Sequence, residues 1–150
     1  MTWLVWEAID KEGHDLTAFV RKLITLRKKM GIFKRIKFFD GRLVEKFARF
    51  KVKDMMWIKN DGSEFETADW YLENRRSIAS FAYQENCSYM LICNANAVAE
   101  EWHLPAFCKN LAVEAVFDSS AQINGKKLNP SEAFSVPAWS VIVVEIKKPE

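Results

Sequence analysis

The chain has 150 residues, 49% of them hydrophobic and 28% charged, and carries a net charge of +2. That is enough material for one sizeable core or two small ones, and with both signs mixed throughout, the total points to neither a polyanion partner nor an acidic tail. Cys87, Cys93 and Cys108 form an odd set without C-x-x-C spacing, which argues against a disulfide framework and a zinc site and fits a reducing cytoplasm.

From Met1 to Gly13 the sequence is a lead-in holding Trp3, Val5 and Trp6 without strong periodicity. Glu7 and Asp10 stand where a secretory leader would be basic. No apolar run approaches the ~20 residues that cross a bilayer, so no membrane association is expected. Asp15 is then a good N-cap for a helix in which Leu16, Phe19, Val20, Leu23, Ile24 and Met30 recur at helical spacing, with Arg21, Lys22, Lys28 and Lys29 on other faces. Gly31 sits where a helix ends in the left-handed conformation, and Arg27 to Lys29 complement the negative end of its dipole.

Beyond Lys34 the period changes to short β-like runs. Ile36 to Phe39, Phe47 to Lys53, Met55 to Lys59, Ile78 to Tyr83, Tyr89 to Cys93, Val113 to Phe117 and Trp139 to Ile146 are rich in aromatic and β-branched residues. Asp40-Gly41, Asn60-Asp61-Gly62, Asn124-Gly125 and Asn129-Pro130 punctuate them as turns. The pattern predicts a mainly β fold, an antiparallel β-sandwich preceded by one amphipathic α-helix. Alternation from Phe47 to Lys53 suggests an edge or outer strand, whereas Val141 to Val144, apolar on both faces, suggests a central one. The one boundary indicated lies between Gly31 and Gly41, giving a segment 1–40 and a β-domain 41–150.

The stretch Lys53 to Arg76, KDMMWIKNDGSEFETADWYLENRR, organises the rest. Met55 to Lys59 reads as a strand entering the Asp61-Gly62 reversal, and Thr67 to Trp70 as its exit into a loop or helical turn, so Trp57 and Trp70 flank one hairpin. Lys53-Asp54-x-x-Trp57, Asp61-Gly62, Asp69-Trp70 and Arg75-Arg76 fall in order with Trp3-Leu4-x-Trp6, Phe19-x-x-x-Leu23-Ile24-x-Leu26-Arg27, Phe38-Phe39-x-Gly41 and Asn94-Ala95. In that order the chain resembles, over essentially its whole length, the C-terminal region of bacterial glycogen debranching enzymes and isoamylases of glycoside hydrolase family 13. The resemblance implies that the helix is the remnant of the last helix of a catalytic (β/α)₈ barrel and that a non-catalytic C-terminal β-domain follows. It implies support of a barrel that cleaves α-1,6-glucosidic branches in glycogen or starch breakdown. Val5 departs from the pattern, since many relatives carry aspartate there.

Glycoside hydrolysis needs two carboxyl groups astride the scissile bond. The family motifs that carry them lie upstream of the matched region, so the reading assigns no catalytic residue; Asp54, Asp61, Glu64, Asp69 and Asp118 are read as surface or turn carboxylates. His14 and His103 have no ligand or triad partner at a recognisable spacing, and Cys93 reads as a strand thiol. With five glycines and no phosphate loop, no cofactor is expected. The basic run Arg27 to Lys37 is largely explained by a helix end, leaving no nucleic-acid partner expected. For substrate binding the candidates are Trp3, Trp6, Trp57, Trp70 and Tyr71, whose rings suit the apolar face of glucose. The alternative function is thus a stand-alone carbohydrate-binding module for α-glucans. Expected partners are a separate chain carrying the barrel, a second copy joined through the Leu16 to Met30 helix, or an α-glucan.

Overall fold

Asp10 opens the first element by accepting the Gly13 N–H on its side chain at 2.9 Å, which satisfies one of the four free donors at a helix start. Helix α1 therefore runs Lys11–Lys29, a turn earlier than the sequence suggested, with Asp10 and not Asp15 as its cap. Its end also differs from expectation. Met30 leaves the helix in an extended conformation (φ −74°, ψ 105°), and Gly31 opens a 3-10 turn, Gly31–Lys34. None of the α1 residues is buried.

The computed structural model describes residues 9–147, excepting the side chain of Ala48. The chain divides between Lys37 and Phe38 into two units, the second holding every strand. The strands are β1 (Met55–Ile58), β2 (Ser77–Ala82), β3 (Cys87–Asn94), β4 (Glu100–Trp102), β5 (Ala112–Asp118), β6 (Lys126–Leu128), β7 (Phe134–Val136) and β8 (Ser140–Lys147). One antiparallel sheet has the order β1-β2-β3-β8-β5-β6; β4 and β7 pair antiparallel as a second layer. The fold is mainly β, a sandwich preceded by one helix. As the apolar run Val141 to Val144 suggested, β8 is interior, between β3 and β5.

Two expected strands are absent. Ile36 to Phe39 forms no strand, and Ile36 and Phe38 are exposed. Its β-prone residues meet no partner edge there, and β propensity has little force without one. The run Phe47 to Lys53 is instead a kinked 3-10 turn, Glu45–Phe50, followed by Lys51 at φ 53° and a single bridge from Leu43 to Lys53. Phe47 is turned toward Tyr83 (ring centroids 6.2 Å) and Phe107 (5.6 Å). That aromatic packing outweighs the sequence alternation.

Because side chains alternate across a sheet, the register sorts the large sheet into two faces. Met56, Phe81, Met90, Val144 and Ala115 are successive cross-strand partners and form one inner row; Ile58, Ala79, Ile92 and Ile142 form the next. Trp102 of β4 and Val136 of β7 lie against these rows in one buried cluster. On the opposite face Trp57, Ser80, Leu91, Val143 and Phe117 are successive partners, beside a row of Ile78, Cys93 and Val141. A bulge between Ala115 and Phe117 brings Phe117 to this outer face. The large sheet thus carries apolar rows on both sides, the outer one interrupted by Ser80 and followed by a row with Glu145 and Glu114.

Candidate functional site

The hairpin expected at Lys53 to Arg76 forms at one edge of the sheet. After β1 the chain reverses at Gly62 (φ 81°), with the Lys59 N–H donating to the Ser63 carbonyl at 2.8 Å and the Phe65 N–H to the Trp57 carbonyl at 2.8 Å. A Cβ on Gly62 would stand 2.9 Å from the Leu104 carbonyl oxygen, so glycine is needed both for the dihedral and for the close approach. A 3-10 turn, Thr67–Tyr71, follows, closed by a reciprocal cap in which the Glu66 N–H donates to Asp69 Oδ2 at 2.9 Å.

This turn brings Trp70 edge-on to Trp57, with ring centroids 5.8 Å apart at 85°, and against Phe65 at 4.8 Å. Such ring pairs add about 0.5–1.5 kcal/mol beyond their buried area. Both rings remain accessible, Trp57 at 42% and Trp70 at 54%, and Tyr71 is 80% exposed. Three of the candidate rings thus lie along one short segment, two of them in contact. Trp3 and Trp6 lie outside the described residues.

Asp69 is the electrostatic hinge of the segment. Lys59 Nζ lies 3.0 Å from its Oδ2, and Arg75 Nη2 donates to its Oδ1 at 3.1 Å. The Glu66 N–H first, then Lys59, hold this carboxyl below its ordinary pKa. Arg75 also lies over the Phe65 ring, 5.1 Å from its centroid, so a planar cation is fixed by a carboxylate and an aromatic face together.

Beside the turn is an open cleft of about 360 Å³, lined among others by Asn60, Asn74, Arg75, Arg76, Asn96 and Glu100. Asn94, buried at the end of β3, anchors the loop that carries Asn96. Its Nδ2 donates to the carbonyls of Val98 (3.1 Å) and Pro137 (2.9 Å), and its Oδ1 accepts the Asn96 N–H at 2.9 Å. One amide thereby fixes both the 96–98 loop and the turn into β8. That turn carries Trp139, at φ 50° and 68% exposed, whose N–H donates to the Asn96 carbonyl at 3.2 Å. The sequence reading placed Trp139 inside the last strand and gave the cleft residues no role. Arg75-Arg76 and Asn94-Ala95 stood in the motif order as signals, but only the fold shows that they share one cleft.

The other reactive groups are quiet. Burial raises the Cys93 thiol and pushes Cys108 up to about 12, so both stay protonated. His103 lies 3.6 Å from Glu101, both largely solvated. Among the described residues no group of three or more His, Cys, Asp or Glu side chains is placed to hold a metal ion, and no helix is long and apolar enough to cross a membrane.

No protein-family model matches the chain. It is similar, at 28% identity over 96% of its length, to a protein named "Glycogen operon protein GlgX homolog" in Mycobacterium bovis. Proteins of the same name in two strains of Mycobacterium tuberculosis match it to the same extent, 28% over 96%. The chain spans 22% of the length of these curated relatives. The resemblance drawn from residue order is thus found again in whole-sequence similarity to GlgX-type proteins.

Proposed function

We propose that this chain serves in glycogen metabolism as the non-catalytic C-terminal β-domain of a glycogen debranching enzyme of the α-1,6-glucosidase or isoamylase type, and that it buttresses the catalytic barrel. The observation that carries the reading is the second apolar face of the large sheet. The row Trp57, Ser80, Leu91, Val143 and Phe117 lies opposite the core that the domain fills by itself; Val143 and Phe117 are buried, but Trp57 and Leu91 stay exposed, and exposed apolar residues beyond a finished core call for a further layer. Similarity to relatives of which the chain spans 22% supports a larger protein as the source of that layer. In this reading α1 is the last helix of the barrel, and its Leu16, Val20, Leu23 and Ile24 stripe packs within it. Three free cysteines fit work in a reducing cytoplasm.

Grafting tests the proposal. In the GlgX homolog of Mycobacterium tuberculosis, the matching segment is deleted or replaced by this chain, and hydrolysis of a branched glucan is measured. Deletion is expected to abolish soluble, active enzyme and replacement to restore it. Deletion without loss, or branch cleavage by the purified chain alone, would overturn the proposal. The stand-alone glucan-binding module has no observation that favours it over this reading.

A further inference from the structure

We infer that the segment from Arg27 to Lys37, the end of α1 and the turn after it, binds an anionic lipid surface. The inference goes beyond the buttress and does not use the stripe Leu16, Val20, Leu23 and Ile24, which that reading assigns to the barrel.

Charge is spread very unevenly along the chain. Residues 16–39 hold eight of the 22 Lys and Arg and none of the 20 Asp and Glu, which makes that segment +8 and the other 126 residues −6. A helix end explains only part of this. Arg27, Lys28 and Lys29 stand in the last turn of α1, where they complement its dipole, but Lys34, Arg35 and Lys37 lie beyond the turn within which that field acts. Arg27, Lys28, Lys34 and Lys37 are exposed. Clusters of roughly four to eight such cations, on or beside an amphipathic helix, suit acidic lipid headgroups.

Apolar side chains stand among these cations. Phe33 is exposed and Ile36 wholly so, yet the backbone that carries them is tied down. Gly31–Lys34 is a 3-10 turn, the Phe33 N–H donates to the carbonyl of buried Met30 at 3.3 Å, and Arg35 Nε donates to the Lys37 carbonyl at 3.2 Å. An isoleucine that projects in full from such a turn lines no groove. A fluid acyl layer takes it up without a matching pocket, whereas a protein partner would need one. The same residue favours lipid over single-stranded nucleic acid, because bases stack on aromatic faces and an aliphatic chain offers none. The contact is with the bilayer surface, since no helix among the described residues is long and apolar enough to cross a membrane.

The test is flotation of the 150-residue chain with phosphatidylcholine vesicles containing about 30% phosphatidylserine, against vesicles of phosphatidylcholine alone. At about 0.1 M salt, half of the chain is expected on the acidic vesicles at about 1 mM lipid or less and none on the neutral ones, and affinity should fall about tenfold or more at about 0.5 M salt. Lys28→Glu with Lys34→Glu should weaken binding about tenfold or more, and Phe33→Ser with Ile36→Ser roughly three- to tenfold. Lys126→Glu with Lys127→Glu, the same change of charge on β6, should alter it by no more than about twofold. All six positions are exposed, so circular dichroism should show the fold retained in each variant. The inference is overturned by no flotation with acidic vesicles, by equal binding to neutral ones, or by an effect of the β6 pair as large as that of Lys28 and Lys34. Binding that neither Lys28 and Lys34 nor Phe33 and Ile36 weakens, or tighter binding of a single-stranded RNA of about 20 nucleotides, overturns it as well. Flotation reads the basic segment and the graft reads the buttress, so either can fail while the other stands.

Discussion

The two faces of the six-stranded sheet both carry apolar rows and differ in composition and in fate, the outer one including Ser80, Glu145 and Glu114. The inner face is finished within the domain, because β4 and β7 bring Trp102 and Val136 onto Phe81, Met90, Ile92 and Val144. The outer face has the row from Trp57 to Phe117, in which Val143 and Phe117 are buried while Leu91, at its centre, stays 40% exposed. The difference teaches that apolar pattern alone does not say what a strand packs against. The inner rows hold the domain together; in our reading the outer rows hold it to something else, and mutation should separate the two.

The largest expected effect lies on the inner face. Trp102 is fully buried, and its Nε1–H donates to Glu100 Oε2 at 3.2 Å. Trp102→Ala removes the main contribution of the small layer and leaves a large cavity, a change that costs about 3–5 kcal/mol in comparable cores. Domains are stable by only about 5–15 kcal/mol, so chemical denaturation should show a large fall in midpoint. A near-neutral result would mean that β4 and β7 are not the cover of that face.

The inner face was mostly legible in the sequence. Strands β2, β3, β5 and β8 follow from their β-branched and aromatic runs, and the central place of β8 follows from an apolar stretch without alternation. Strands β6 and β7, three residues each, escaped because a run such as Lys126-Lys127-Leu128 is too short to display a period of two. The run Phe47 to Lys53 misled for the opposite reason, its alternation being an accident of a 3-10 turn that points Phe47 at Phe107. At the candidate site the hairpin and its tryptophans were readable from Asp61-Gly62 and Thr67 to Trp70. The cleft was not, since Asn60, Arg76 and the pair Asn96 and Glu100 come from three separate places in the chain and meet only once the strands are paired.

An intermediate effect is expected at the edge between the faces, where Asp69 joins Lys59 and Arg75 beneath the Trp57 and Trp70 pair. Its folded-state pKa is lowered from 3.8, so the ionised form is favoured by folding. The resulting stabilisation is complete above the ordinary carboxylate range and is lost as the pH falls through the lowered value. Asp69→Asn should therefore be less stable than the parent at pH 7, and the two should converge in acid, once the pH is below the lowered value and the carboxyl is protonated in both states. Thermal unfolding at neutral and at acid pH reads this directly. A deficit that persisted unchanged into acid would assign the role of Asp69 to shape and not to charge.

The smallest expected effect is the most telling for the comparison. Leu91 lies on the outer row between Ser80 and Val143, and a partly solvated side chain there adds little to the domain by itself. Leu91→Ser should change the stability of the isolated chain by no more than about 0.5 kcal/mol, an order of magnitude below Trp102→Ala on the other side of the same sheet. Within the grafted GlgX homolog the same substitution should lower soluble, active enzyme, because there the outer face would be buried and a hydroxyl would enter it without a partner. A variant silent in both settings would leave the outer face without a role in docking, whereas one that damages the isolated chain as severely as the Trp102 variant would make it a second core.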